Sequence, residues 1–230
     1  MIFYIHVGKT GGSAIKRAIR ASHAVAKTKE PQVIKDKIVL LNHVSLAQAT
    51  QQFGAPNGLA FAFRNPLSRF VSGFYCRQRM EWPDHTARWD AGEAAAFAHF
   101  DTANDLAEAL GSDAPKDRAA AHFAMHAIRH LRRGYRYTFG DLVNFMLNHS
   151  HLVRVYIDTT DLTSKGCGFI QRLGGMASDT AFKPAAVSAD YPRDLSAQAQ
   201  QNLRAFWAQE FEFYDAFTAL RDELENVAAR

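Results

Sequence analysis

Short apolar runs alternate along this chain with longer stretches of helical composition. Residues 2–7, 38–41, 59–63 and 152–157 are rich in β-branched and aromatic side chains, and each run is long enough for a buried strand. The clusters Ala94-Ala95-Ala96 and Ala119-Ala120-Ala121 favour helix in the middle of the chain. The order strand, helix, strand, helix, strand, helix, helical insert and fourth strand predicts an α/β domain with a mainly parallel sheet. The insert is expected over about residues 81–150, with Gly111, Pro115 and Gly134 as breakers, and is the segment expected to face substrate. Near the C-terminus Ser196 suits an N-cap. Leu203, Trp207, Phe211, Tyr214 and Phe217 follow at three- and four-residue steps, which predicts one long amphipathic helix whose aromatic stripe serves packing.

Composition narrows the class. With 47% hydrophobic and 22% charged residues over 230 positions, the chain suits one globular domain rather than a disordered or fibrous protein. No uncharged apolar run approaches the ~18 residues of a membrane span, and Met1 leads straight into the first strand, so no signal peptide is expected. Cys76 and Cys167 are the only cysteines, too few for a disulfide framework or a thiolate zinc site. A cytoplasmic location is expected. The net charge of +4 is too small to argue for nucleic acid as a partner. Its distribution says more: residues 1–40 hold eight basic against two acidic residues, a local +6, whereas residues 201–230 carry a local −3. The N-terminal part is the side expected to meet an anion.

Two segments give that anion a chemistry. After the first strand comes Gly8-Lys9-Thr10-Gly11-Gly12-Ser13, followed by residues of helical composition from Ala14. Such a turn aims backbone N–H groups and the positive end of a helix at one point, while Lys9 adds a full charge and Thr10 and Ser13 add hydroxyls. A phosphate or sulfate fits there; the alternative is an ordinary strand-to-helix turn in which the glycines supply only dihedral freedom. The lysine precedes the glycine pair, unlike a Walker A loop, and no Gly-x-Gly-x-x-Gly fingerprint is present, which argues against a standard ATP or NAD site.

The third strand runs into Arg64-Asn65-Pro66, where Asn65 suits an N-cap and Pro66 the first helical position. Leu67, Phe70, Val71 and Phe74 form an apolar stripe, and Asn65, Arg69 and Ser72 lie along another face. Arg64 and Ser72 could converge on a second phosphate at the carboxyl edge of the sheet. The alternative is that Arg64 or Arg69 pairs with a carboxylate and Ser72 is an ordinary helix residue.

Taken together, these segments resemble sulfotransferases that use 3′-phosphoadenosine 5′-phosphosulfate (PAPS), most closely the carbohydrate sulfotransferases. Their first loop reads approximately Pro-Lys-Ser/Thr-Gly-Gly/Thr-Ser/Thr after a strand, and their second motif is an arginine followed by a serine eight positions later. His6 to Ser13 matches the first, with Gly8 in place of the usual proline, and Arg64 and Ser72 match the second. The resemblance covers about the first 80 residues clearly. It implies a P-loop-like three-layer fold, with Lys9, Thr10, Gly11, Gly12 and Ser13 on the 5′-phosphosulfate and Arg64 and Ser72 on the 3′-phosphate. It also implies sulfuryl transfer from PAPS to a hydroxyl acceptor, expected to be a carbohydrate or glycan-like molecule.

Such transfer needs charge neutralisation on the leaving phosphate, assigned to Lys9, and a base for the acceptor's proton. The second strand ends in Leu41-Asn42-His43, which puts His43 just past a strand end on the edge where both motifs open, and an imidazole can accept a hydroxyl proton near neutral pH. In related enzymes a histidine or glutamate occupies a comparable place. His6 is read as lying inside the first strand, with a core or supporting role. His122, His126 and His130 recur at four-residue steps but lack the glutamate of a zinc helix motif, so they are read as a solvated basic face or a surface for an anionic acceptor, and no metal is expected. Lys183 is a candidate for the family's C-terminal nucleotide loop. Two rival classes remain: a nucleotide kinase or NTPase, which would need Mg²⁺, and a non-catalytic nucleotide- or polyanion-binding module.

Overall fold

A computed structural model describes residues 1–28, 31–79, 88–175 and 191–228, the side chains of 223–228 excepted. Lys183 and the expected start of the insert at Glu81 lie outside the described residues. In chain order the elements are β1 (Ile2–Ile5), α1 (Gly12–Ser22), β2 (Gln32–Ile34), β3 (Ile38–Leu40), α2 (Leu46–Phe53), β4 (Gly58–Phe63) and α3 (Pro66–Gln78). There follow α4 (Ala91–His99), α5 (Ala103–Ala109), α6 (Pro115–Ala127), α7 (Arg129–Arg132), α8 (Tyr135–Phe139) and α9 (Leu142–Asn148). The last are β5 (Val153–Asp158), α10 (Leu162–Arg172), α11 (Ala197–Phe206) and α12 (Ala208–Ala228).

Contacts divide the chain into two compact units: Met1–Arg64, Tyr135–Val187 and Phe213–Arg230 form one, and Asn65–Gly134 with Ser188–Glu212 form the other. The insert expected over about 81–150 has residues in both units. Residues 135–150 join the sheet unit because α8 and α9 carry Tyr135, Phe139 and Phe145 into the sheet's core.

The sheet unit is a three-layer α/β structure. Its strands run in the order β2-β3-β1-β4-β5. β3, β1, β4 and β5 are mutually parallel, and β2 pairs antiparallel with β3. All four expected strands are present. Alternation sorts their side chains: Tyr4, Leu40, Ala60 and Ala62 pack with Ile15 and Ile19 of α1 and Phe169 and Ile170 of α10. Phe3, Ile5, Val39, Phe61 and Phe63 pack on the other face with Leu46 of α2, Tyr135, Phe139, Phe145 and Phe217. Both faces are covered, which explains why the parallel strands read as continuous apolar runs.

β2 has no counterpart in the sequence reading. It enters through a turn closed by the Lys37 N–H donating to the Ile34 carbonyl at 3.0 Å, with positive φ at Lys35 and Asp36.

The helical unit gathers Phe70, Phe74, Phe97, Leu106, Met125, Leu131, Leu203 and Trp207 into its own core. α3 starts as the sequence predicts: Asn65 Oδ1 accepts the Leu67 N–H, and Pro66 takes the first position. Ser196 caps α11 by accepting from the Ala199 N–H. The single long C-terminal helix is instead two, because backbone angles of −106° and 31° at Trp207 end α11 before α12 begins.

Candidate functional site

Strand order fixes where a ligand could bind. From β1 the chain leaves through α1 toward β2 and β3 on one side, while β4 precedes β5 on the other. The carboxyl ends of β1 and β4 therefore flank a topological switch point, where open α/β sheets hold their ligands. The Gly8–Ser13 turn follows β1, His43 follows β3 and Arg64 follows β4, so all three occupy this one edge of the sheet unit.

The turn is built to end in an uncapped helix. Gly11 is the N-cap of α1 at φ 77°, offers no side chain to the first-turn N–H groups, and lets its carbonyl accept from Ile15 at 3.1 Å. A helix leaves its first N–H groups without intrahelical partners, so these donors face the switch point with the positive end of the dipole behind them. Lys9 holds a left-handed backbone at φ 68°, a conformation that costs a non-glycine residue of order 1 kcal/mol or more. Thr10 is fully buried and its hydroxyl donates to the Val7 carbonyl at 2.9 Å. The side chain of Thr10 thus closes the turn from inside. Ser13 is exposed on the first turn of α1.

Arg64 ties the two segments together. Its guanidinium Nη1 donates to the Lys9 carbonyl at 3.2 Å. Its backbone is clamped by the Tyr135 hydroxyl, which accepts the Arg64 N–H at 2.7 Å and donates to the Arg64 carbonyl at 2.5 Å. Next to it, Thr159 Oγ1 donates to the Phe63 carbonyl at 2.9 Å. Ser72 is half-buried on the second turn of α3 and belongs to the helical unit, so the structure groups Lys9 to Ser13, His43 and Arg64 in one unit and Ser72 in the other. Arg69 follows the alternative reading for an arginine in this segment: it is fully buried, donates to Glu210 Oε2 at 3.0 Å and lies 4.7 Å from the centre of the Trp207 ring.

His43 also has a left-handed backbone, at φ 51°. Its ring lies 4.4 Å from that of His6, tilted by 33°, and its carbonyl accepts from the Tyr137 hydroxyl at 3.4 Å. His6 falls just past β1 rather than inside it, because the strand ends at Ile5. Asn42 Oδ1 sits 3.3 Å from His6 Nδ1 and also accepts from Lys16 Nζ at 3.3 Å. Neither Lys16 nor Asn42 was singled out by the sequence. The clue was Lys16 itself, on the same turn of α1 as Ile15 and Ile19, which both enter the core.

His122 and His126 are exposed on α6, with their rings against Phe206, and belong to a solvated face. Among the described residues, no group of three or more His, Cys, Asp or Glu is placed to hold a metal ion. Cys76 and Cys167 are free thiols. No described helix is long and apolar enough to cross a membrane.

The Gly8–Ser13 turn, His43 and Arg64 thus share the switch-point edge of a five-stranded, mainly parallel α/β sheet. Compared with known proteins, the chain matches no family model, no curated protein and no solved structure.

Proposed function

We propose that the protein is a sulfotransferase that moves a sulfuryl group from PAPS to a hydroxyl acceptor, carbohydrate or glycan-like, with the sheet edge as its donor site and the sheet as a P-loop-like frame. The observation that carries this reading is the hydrogen bond from Arg64 to the Lys9 carbonyl, which gathers two phosphate-directed segments beside the uncapped start of α1. A doubly anionic donor suits that arrangement, since the N–H dipoles of the turn and two cationic residues, Lys9 and Arg64, lie in adjoining segments.

In this reading the acceptor oxygen attacks sulfur in line and the bond from sulfur to the 5′-phosphate oxygen breaks. The acceptor's proton passes to His43, and the charge gathering on the leaving phosphate is met by Lys9 and the N–H groups of residues 11–13. Thr10 acts by shaping the turn, because its proton is committed to Val7. Arg64 takes the 3′-phosphate.

Calorimetric titration with 3′-phosphoadenosine 5′-phosphate, ATP and AMP, without added metal, tests the donor class. Micromolar binding that needs the 3′-phosphate and weakens about tenfold in Arg64→Ala supports it. Metal-dependent ATP turnover would replace it with the kinase reading. With the donor class secured, His43→Ala is expected to keep nucleotide affinity and lose transfer to a hydroxyl acceptor; nucleotide binding with no transfer by the unaltered protein would leave a binding module.

A further inference from the structure

The imidazole pair behind the turn carries a second assignment, which rests on the sulfuryl-transfer reading. Lys16 fixes the orientation of Asn42: an ammonium only donates, so the amide atom 3.3 Å from Lys16 Nζ is the accepting oxygen. His6 Nδ1 meets that same oxygen at 3.3 Å, so it must be the nitrogen that bears hydrogen. The neutral ring of His6 is therefore the Nδ1–H tautomer, and its Nε2 edge turns to α1. There a Cβ on Gly12 would lie 2.0 Å from His6 Cδ2 and 2.3 Å from Nε2, so the ring fills the space that glycine leaves. The opposite contact is with His43, 4.4 Å between ring centres. His6 is buried, so this packing is enforced on all sides.

We infer that His6 is the positioning residue of this site: held by Asn42 and seated on Gly12, it supplies the wall that orients the His43 ring and ties that base to the turn that would hold the phosphosulfate. This gives Gly12 a second requirement, since the ring beneath it, as well as an approaching anion, occupies the space that a side chain would fill.

The experiment uses the full chain with His6→Phe, which keeps a ring but loses the tether to Asn42, and Asn42→Leu, which removes the tether at an exposed position and so does not depend on a core substitution. Each is expected to lower kcat about 10- to 100-fold while the affinity for 3′-phosphoadenosine 5′-phosphate stays within about threefold, as misplacement of a reacting group does. Because both act through His43, combining either with His43→Ala should add nothing to the loss from His43→Ala alone. Losses that multiply, or unchanged kcat in both variants, would overturn the assignment. Nitrogen NMR of the histidine rings reads the same claim without turnover. Asn42→Leu should abolish the Nδ1–H tautomer signal of His6 and move the His43 signals; an unperturbed His43 ring would overturn the positioning role even if the protein proved to bind no PAPS. Absence of both nucleotide binding and transfer, with the ring signals behaving as expected, would strike the sulfotransferase reading and leave the geometry standing.

Discussion

The buried arginines of the helical unit and two cations at the edge of the sheet unit bond to different kinds of oxygen. In the helical unit the buried guanidinium groups meet carboxylates: Arg69 pairs with Glu210 at 3.0 Å, and Arg77 with Glu93 at 2.5 Å, where Glu93 is fully buried and also accepts the Arg129 N–H. At the edge of the sheet unit, Arg64 donates to a peptide carbonyl and Lys16 to a side-chain amide. A carboxylate partner cancels charge and braces a core, while a neutral oxygen orients a cation without cancelling its charge. Under the proposed function Arg64 is an anion's counterpart, whereas Arg69 and Arg77 are struts of a core.

Breaking a strut should have the largest effect. Glu93→Ala strands the Arg77 guanidinium in the core, and is expected to cost about 3–5 kcal/mol of stability, read from denaturant unfolding, with the Arg77→Met/Glu93→Leu double variant recovering most of it. Lys9→Ala addresses the other side of the contrast. It should reduce kcat for sulfuryl transfer about 100-fold or more while moving the unfolding midpoint little, and near-normal turnover would remove Lys9 from its assigned role.

The smallest effect concerns acid. The Asp90 carboxyl is held below its usual range first by the Glu93 N–H and then by Arg129. A carboxyl lowered on folding adds stability above its unfolded value of 3.8, and that stability is lost as pH falls through the lower folded value. Asp90→Asn, which keeps an N-cap, should therefore flatten the dependence of melting on pH below about 4 and change little at neutral pH.

What could be read from sequence was what is local in the chain. Buried parallel strands are continuous apolar runs, and Asn65-Pro66 carries its helix start in two adjacent residues, so both were legible. The antiparallel β2 was not: it has three residues, and its turn places Lys35 and Asp36 at positive φ where the usual signal is Asn-Gly. The break at Trp207 was hidden because the apolar spacing of residues 203–217 runs across it unchanged. At the candidate site the Gly8–Ser13 turn and Arg64 were legible as motifs. The arrangement of His6, Lys16 and Asn42 was not, since it depends on β1 and β3 lying side by side, with Phe3 opposite Val39 and Tyr4 opposite Leu40.

The interleaving of the two units also governs how the chain can assemble. β5 joins β4 only after residues 65–134 have emerged, and the helical core waits for Leu203 and Trp207. Phe213 and Phe217, among the last side chains in the core, complete the sheet unit's second face. Closing such long intervals adds little to the equilibrium cost, about 0.6 kcal/mol for each doubling of length, but it delays the pairing that rewards it. During synthesis neither core can close until residues 203–217 have left the ribosome, so a chain cut before Phe213 would expose apolar surfaces that these side chains otherwise cover.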